Sequence, residues 1–334
     1  MSAYVRWRLV ELLRIRDDQG YCVLFQLLSL GDEMTKLKHL AVCLSLIAAV
    51  GTVGVGDAVA QDDRNTTVQD GIEVRPLWRY RTLVSDDALN EAAAQQYTQM
   101  MGQAKQKGVL LPPSHPEVQR LRAIAKRIIP YAPRWNELAT KWQWQVNVID
   151  AKDVNAFCMP GGRIGFFTGI LTSLKLTDDE VAAVMGHEIA HALREHSREK
   201  LVKQKGTNAL AQLGSYAASA FFGVDPNLTG MAASGLAQLA GLKYSRDDER
   251  EADLVGLDIA ARAGYDPRAG IALWRKMAAL NQRAPIELLS THPGGSSRIA
   301  DMESHMNLLL PVYARAKGTT AAKLPPYRTN VALR

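Results

Sequence analysis

Cysteine is scarce. The chain of 334 residues has three, Cys22, Cys43 and Cys158, and their spacing fits neither a zinc knuckle nor a disulfide framework. Long apolar runs are missing too. The strongest, Leu40 to Val50, is short for a membrane span and fades into a glycine-rich stretch. There is no twin-arginine pair, no internal repeat and no room for a C-terminal repeat array. The net charge of +6 is too small to mark a nucleic-acid partner, though it is compatible with peripheral contact at an anionic membrane surface. What is present is ordinary: 47% apolar and 22% charged residues, the composition of a packed globular core.

The N-terminal region reads in two parts. Met34 starts a segment with Lys36 and Lys38, the apolar run at Leu40 to Val50, and a small-x-small end at Ala58-Val59-Ala60. That is the order of a secretory signal peptide over 34–60, cleaved before Gln61. Cys43 follows Val42 and lies too early for a lipoprotein signal. Residues 1–33 then read as a non-native upstream extension. The alternative is an uncleaved segment that anchors the protein in a membrane. After cleavage only Cys158 remains, so no internal disulfide is available.

Further on, helix formers at helical spacing predict helices over 86–107 and 115–129, the latter with Val118, Leu121, Ile124, Ala125 and Ile128 on one face. The β-formers of 142–149 predict a strand, and 155–169 a hairpin around Pro160-Gly161-Gly162. Thr177 and Glu180 form a capping box, opening a helix expected to run to about Lys203. Residues 207–242 read as a helical hairpin. Ser245 with Asp248 caps another helix, ending near Gly264, and two more follow at 267–282 and 296–308. From Pro311 the chain reads as a basic tail, 311–334.

The chemistry lies in His187-Glu188-Ile189-Ala190-His191. Two histidines four apart on a helix place both imidazoles on one face, where both can reach one ion. Zn2+ takes two imidazoles and a carboxylate and leaves a position for water. Glu188, rotated about 100° from His187, cannot easily join the same ion but can touch that water and take its proton. The bland alternative is a chance match on a solvated helix. Against it, Val181, Val184, Met185, Ile189, Ala192 and Leu193 make the run apolar, so the polar triplet is buried and needs partners. For the third ligand, the metzincin spacing needs Gly at 194 and His at 197, where Arg194 and Ser197 stand. A thermolysin-like spacing meets Leu210, Ala211 and Gln212. His196 is five residues from His191, off the face, and reads as a surface histidine. The acidic cluster 247–253 is the next candidate, with Glu249 and Glu251 not separable by spacing alone.

Four ordered stretches resemble the HtpX/Oma/CAAX-prenyl-protease superfamily of zinc gluzincins, in its soluble periplasmic BepA-like and LoiP-like branch: 155–162, 186–191, Tyr244 to Asp253, and Thr291-His292-Pro293 with Arg298. The resemblance implies an α+β, mostly helical zincin-type domain over 61–310, with a small sheet beside the His-Glu helix. It implies Glu249 as the third ligand of one Zn2+ per chain, with Asp253 orienting a ligating histidine. His292 and Arg298 are implied to sit over the metal, either one able to stabilise the oxyanion, and His292 also able to cap the zinc and hold the enzyme latent. The function implied is a zinc metalloendopeptidase of the periplasm, acting on misfolded envelope proteins in quality control, with outer-membrane assembly machinery as a partner. The rival is a chaperone-like or latent zinc protein with little proteolysis. Cys158 reads as a small core residue.

Overall fold

A three-stranded sheet and two crossing helices frame the structure. The computed structural model describes residues 67–69, 72–205, 244–282 and 286–330. A short antiparallel pair comes first, β1 (Thr67–Gln69) with β2 (Ile72–Val74). Helices α1 (Asp86–Gln106) and α2 (Pro116–Ile128) follow, near the predicted limits. Ser85 caps α1 by accepting from Ala88 N, and His115 caps α2 by accepting from Glu117 N.

The sheet has the order β3 (Gln145–Ile149), β5 (Arg163–Phe167), β4 (Ala156–Met159). β3 is parallel to β5, and β4 and β5 form the predicted antiparallel hairpin. Gly161 and Gly162, at φ +78° and +82°, make its turn, a conformation that disfavours a Cβ. Alternation gives the sheet two apolar faces. Val146, Val148, Ala156, Cys158, Ile164 and Phe166 join the main core. Ile149, Phe157, Met159 and Phe167 pack under α1 with Leu89, Tyr97 and Met100. α3 (Thr168–Ser173) ends the hairpin.

The main core is built on α4 (Asp178–Leu193) and α6 (Arg246–Arg262). Both open on capping boxes, at Thr177 with Glu180 and at Ser245 with Asp248. They cross backbone to backbone: a Cβ on Gly186 would lie 2.5 Å from Gly256 O, and one on Gly256 2.6 Å from His187 N. Only glycine allows that approach, and it brings two chemically active helices together beside the sheet.

The long helix expected over 177–203 is broken. Glu195 adopts φ +58°, α4 stops at Leu193, and α5 (His196–Lys205) starts in a new direction. Asn136 Nδ2 donates to the freed Leu193 carbonyl at 2.9 Å. α7 (Arg268–Asn281) and the short α8 (Glu287–Thr291) follow. α9 (Ser296–Ala316) passes the expected stop at 308 and carries Pro311 inside it, because Met306, Leu309, Val312 and Ala314 continue the buried face. Beyond it, Thr329 donates to Glu180 Oε1 at 2.7 Å and Lys276 donates to Asn330 Oδ1 at 2.8 Å, so residues 327–330 lie against the start of α4. The mostly helical α+β expectation therefore holds. Among the described residues no helix is long and apolar enough to cross a membrane. The expected leader at 34–60, the extension 1–33 and the hairpin 207–242 lie outside the described residues.

Candidate active site

α4 presents His187 and His191 on one face, with both Nε2 atoms turned inward 3.1 Å apart. Glu249, in the first turn of α6, faces them: its oxygens lie 3.5 Å from His187 Nε2 and 3.5 Å from His191 Nε2. His292, just past α8, adds Nδ1 at 3.0 Å from Glu249 Oε1 and 3.3 Å from His187 Nε2. One donor atom from each of the four falls within 4.8 Å of the others, and all four residues are buried. Three imidazoles and a carboxylate converging in a buried space suit zinc, the metal of such sites. Structure thus separates two glutamates that spacing could not. Glu251 points away from this quartet, toward His196, Arg194 and Arg75.

Behind the ligand face stands a second layer. Asp253, one turn after Glu249, accepts from His187 Nδ1 at 3.0 Å. Arg298 Nε and Nη2 donate to Asp253 at 2.7 and 2.6 Å, and Nη1 donates to Glu249 Oε2. Its guanidinium lies over the Trp274 ring at 3.7 Å. This corrects one expectation. Arg298 directs four of its five N–H groups to buried carboxylates and the Pro293 carbonyl, which sets it behind the ligands rather than over the metal. His292 Nε2 lies 3.8 Å from Glu188 Oε1.

Glu188 is buried at 4% exposure, and its Oε1 has no hydrogen-bond partner. Burial raises its carboxyl above the usual range, Glu249 adds to this, and the nearby His292 and His187 oppose it. For His187 burial works downward, but the hydrogen bonds of Asp253 and Glu249 outweigh it and push the imidazole up to about 9. His191 goes the other way: burial, with positive charge on His187 and His292, holds it well below the ordinary imidazole value. A narrow apolar crevice lined by Val184, Leu257, Leu273 and Met277 opens beside Glu188 and His292. Burial is the main influence on the Cys158 thiol and raises it, which fits the inert core residue expected of it.

His196 is the second correction. It is fully buried, with Nδ1 2.9 Å from His191 Nδ1. On an unbroken helix it would sit about 140° from His191. The left-handed residue at Glu195 swings it back. Tyr244, which the sequence marks only as part of a motif, stacks on the His191 ring at 4.0 Å and 27°. No sequence signal marked the break, since Glu195 gives no cue for positive φ.

The sequence matches the profile of Peptidase family M48 over residues 115–306. It is 41% identical over 155 residues to the mitochondrial metalloendopeptidase OMA1 of Arabidopsis thaliana, covering 46% of this chain and 30% of that protein. The Schizosaccharomyces pombe protein of the same name is 32% identical over 223 residues, covering 66% and 61%. The β-barrel assembly-enhancing protease of Escherichia coli is 27% identical over 208 residues, covering 59% and 40%. The chain thus spans less than two thirds of each of these relatives. These names overturn the periplasmic location expected above, because the Arabidopsis, fission-yeast, budding-yeast and cattle relatives are mitochondrial. A basic start and a short apolar run mark a segment for transport without identifying the compartment. With three separated stretches supplying one buried quartet inside the matched region, the chain belongs to peptidase family M48.

Proposed function

We propose that the chain is a zinc-dependent endopeptidase, with His187, His191 and Glu249 as ligands and Glu188 as general base. The observation that carries this reading is the buried, unpartnered Glu188 Oε1 beside the four-donor quartet. Zinc, when bound there, polarises the peptide carbonyl and acidifies the attacking water. Glu188 accepts the proton of that water and passes it to the leaving nitrogen. A carboxyl raised by burial suits this two-way role, because it takes the proton from water more readily than an ordinary glutamate and lies nearer neutrality, where uptake and later release are better balanced. Asp253 and Arg298 fix His187 and Glu249 from behind. β4, at the sheet edge and packed beside α4, offers backbone groups to an extended substrate as an added strand. His292 Nε2 is the side-chain group placed to meet the oxyanion.

The substrates are misfolded or misassembled proteins, and the role is protein quality control. Support for this comes from the Escherichia coli relative, whose name ties it to β-barrel assembly. A latent form is the second reading. His292 Nδ1 sits within the donor quartet, so His292 caps the metal at rest and must turn away to admit substrate.

Unfolded casein tests both readings. The full chain cleaves it, Glu188→Gln binds zinc but does not, and His292→Ala changes the rate while the zinc stays bound. If every form, His292→Ala included, is equally inert with zinc bound, the peptidase reading fails.

A further inference from the structure

We propose that His196 is a positioning residue that sets the tautomer and ring orientation of His191. The proposal rests on the zinc reading above and extends it. His191 Nε2 faces the donor quartet, and an imidazole nitrogen that binds a metal carries no proton. The ring's proton therefore resides on Nδ1, whose partner is His196 Nδ1 at 2.9 Å. That contact forms only if His196 Nδ1 is bare and accepts. The His196 proton is then on Nε2, which faces Glu251 Oε2 at 3.3 Å. One proton per link satisfies the whole chain: His191 Nδ1–H to His196, and His196 Nε2–H to Glu251. With a proton on His196 Nδ1, two N–H groups would meet head-on.

The far end of the chain is firmly held. Arg194 Nε donates to Glu251 Oε1, and Arg75 Nε donates to Glu251 Oε2 at 2.6 Å. Arg75 follows β2, so a segment remote in sequence fastens the relay. The same turn controls the ring's face. Ser197, next to His196, hydrogen-bonds Tyr244 at 2.9 Å between hydroxyls, and Tyr244 stacks on His191. The break at Glu195 thus delivers one residue to the edge of the ligand ring and another to the tyrosine covering its face.

Zinc affinity of the full chain, measured by competition with a chromogenic chelator, separates the possibilities. His196→Phe keeps the ring volume and removes both hydrogen bonds. It is expected to weaken zinc about 10–100-fold, the usual loss when the partner of a ligating histidine is removed. His196→Gln, which can accept from His191 and donate to Glu251, is expected to recover most of that loss, and a shape-only role would not predict such recovery. Equal affinity in wild type and His196→Phe, or equal loss in both variants, overturns the inference. A wild type that binds no zinc overturns instead the reading on which it rests. Should His196→Phe fail to fold, nitrogen-15 NMR of the zinc-loaded wild type decides the matter alone. The His196 ring is expected as the Nε2–H tautomer, and an Nδ1–H signal contradicts the proposal.

Discussion

His187 and His191 lie one turn apart on the same helix, yet the structure supports them in different ways. His187 rests directly on a carboxylate, Asp253, which Arg298 clamps from α9. His191 reaches its carboxylate, Glu251, only through a second imidazole. Helix geometry explains the difference. Glu249 and Asp253 are four apart on α6 and share a face, so one can face the metal while the other backs its ligand. Glu251 is two residues from each, about 200° around the helix, and cannot touch either ligating ring. His196 fills the gap. The two imidazoles also differ in charge state. His187 is pushed up to about 9 in the metal-free protein, where the hydrogen bonds of Asp253 and Glu249 outweigh burial, and His191 is held low by burial.

The largest effect comes from breaking the carboxylate arm. Arg298→Met leaves Asp253 and Glu249 buried without their cation, and about 3–5 kcal/mol of stability is expected to be lost, read from urea unfolding of the metal-free chain. Next is Asp253→Asn, which removes the negative charge behind His187 and is expected to weaken zinc about 10–100-fold. It also changes the pH dependence. A proton on His187 competes with the metal, so wild-type affinity is expected to rise with pH by up to about tenfold per unit until pH reaches about 9. Removing the proton-stabilising charge lowers that ceiling. The linked stability runs the opposite way: a raised imidazole stabilises the metal-free fold below its ordinary value of 6.5 and loses that contribution as pH climbs through 9. Chelator competition and urea midpoints from pH 6 to 10 check both signs.

The smallest effect belongs to the relay's outer end. Arg75 is 38% exposed on its side chain, so Arg75→Ala is expected to cost about 1 kcal/mol or less by urea denaturation, with Arg194 still holding Glu251. A loss as large as that of Arg298→Met would erase the distinction between a buried clamp and a surface fastening.

Much of the site was legible because its geometry is local. The four-residue spacing of His187 and His191, the capping boxes at Thr177 and Ser245, and the hairpin around Pro160-Gly161-Gly162 follow from helix and turn chemistry. Glu249, Asp253 and His292 became legible through resemblance and are now joined by distances. What stayed hidden depends on tertiary packing. The positive φ at Glu195 falls where Asn136, from a distant segment, takes the Leu193 carbonyl freed at the end of α4, and nothing local announces it. His196 was misread for that reason alone. Arg298 looked available because two carboxylates on another helix, Glu249 and Asp253, had not yet been placed around it. Pro311 looked like a stop because the buried face beyond it is visible only once the core is known.

The central claim is that Glu249 binds the metal while Glu251 anchors the relay. Zinc content of the purified full chain tests it most directly, compared with Glu249→Ala and Glu251→Ala by elemental analysis. One zinc per chain is expected in wild type, with loss in Glu249→Ala and zinc retained with a weaker grip in Glu251→Ala. Zinc retained in Glu249→Ala and lost in Glu251→Ala would contradict it.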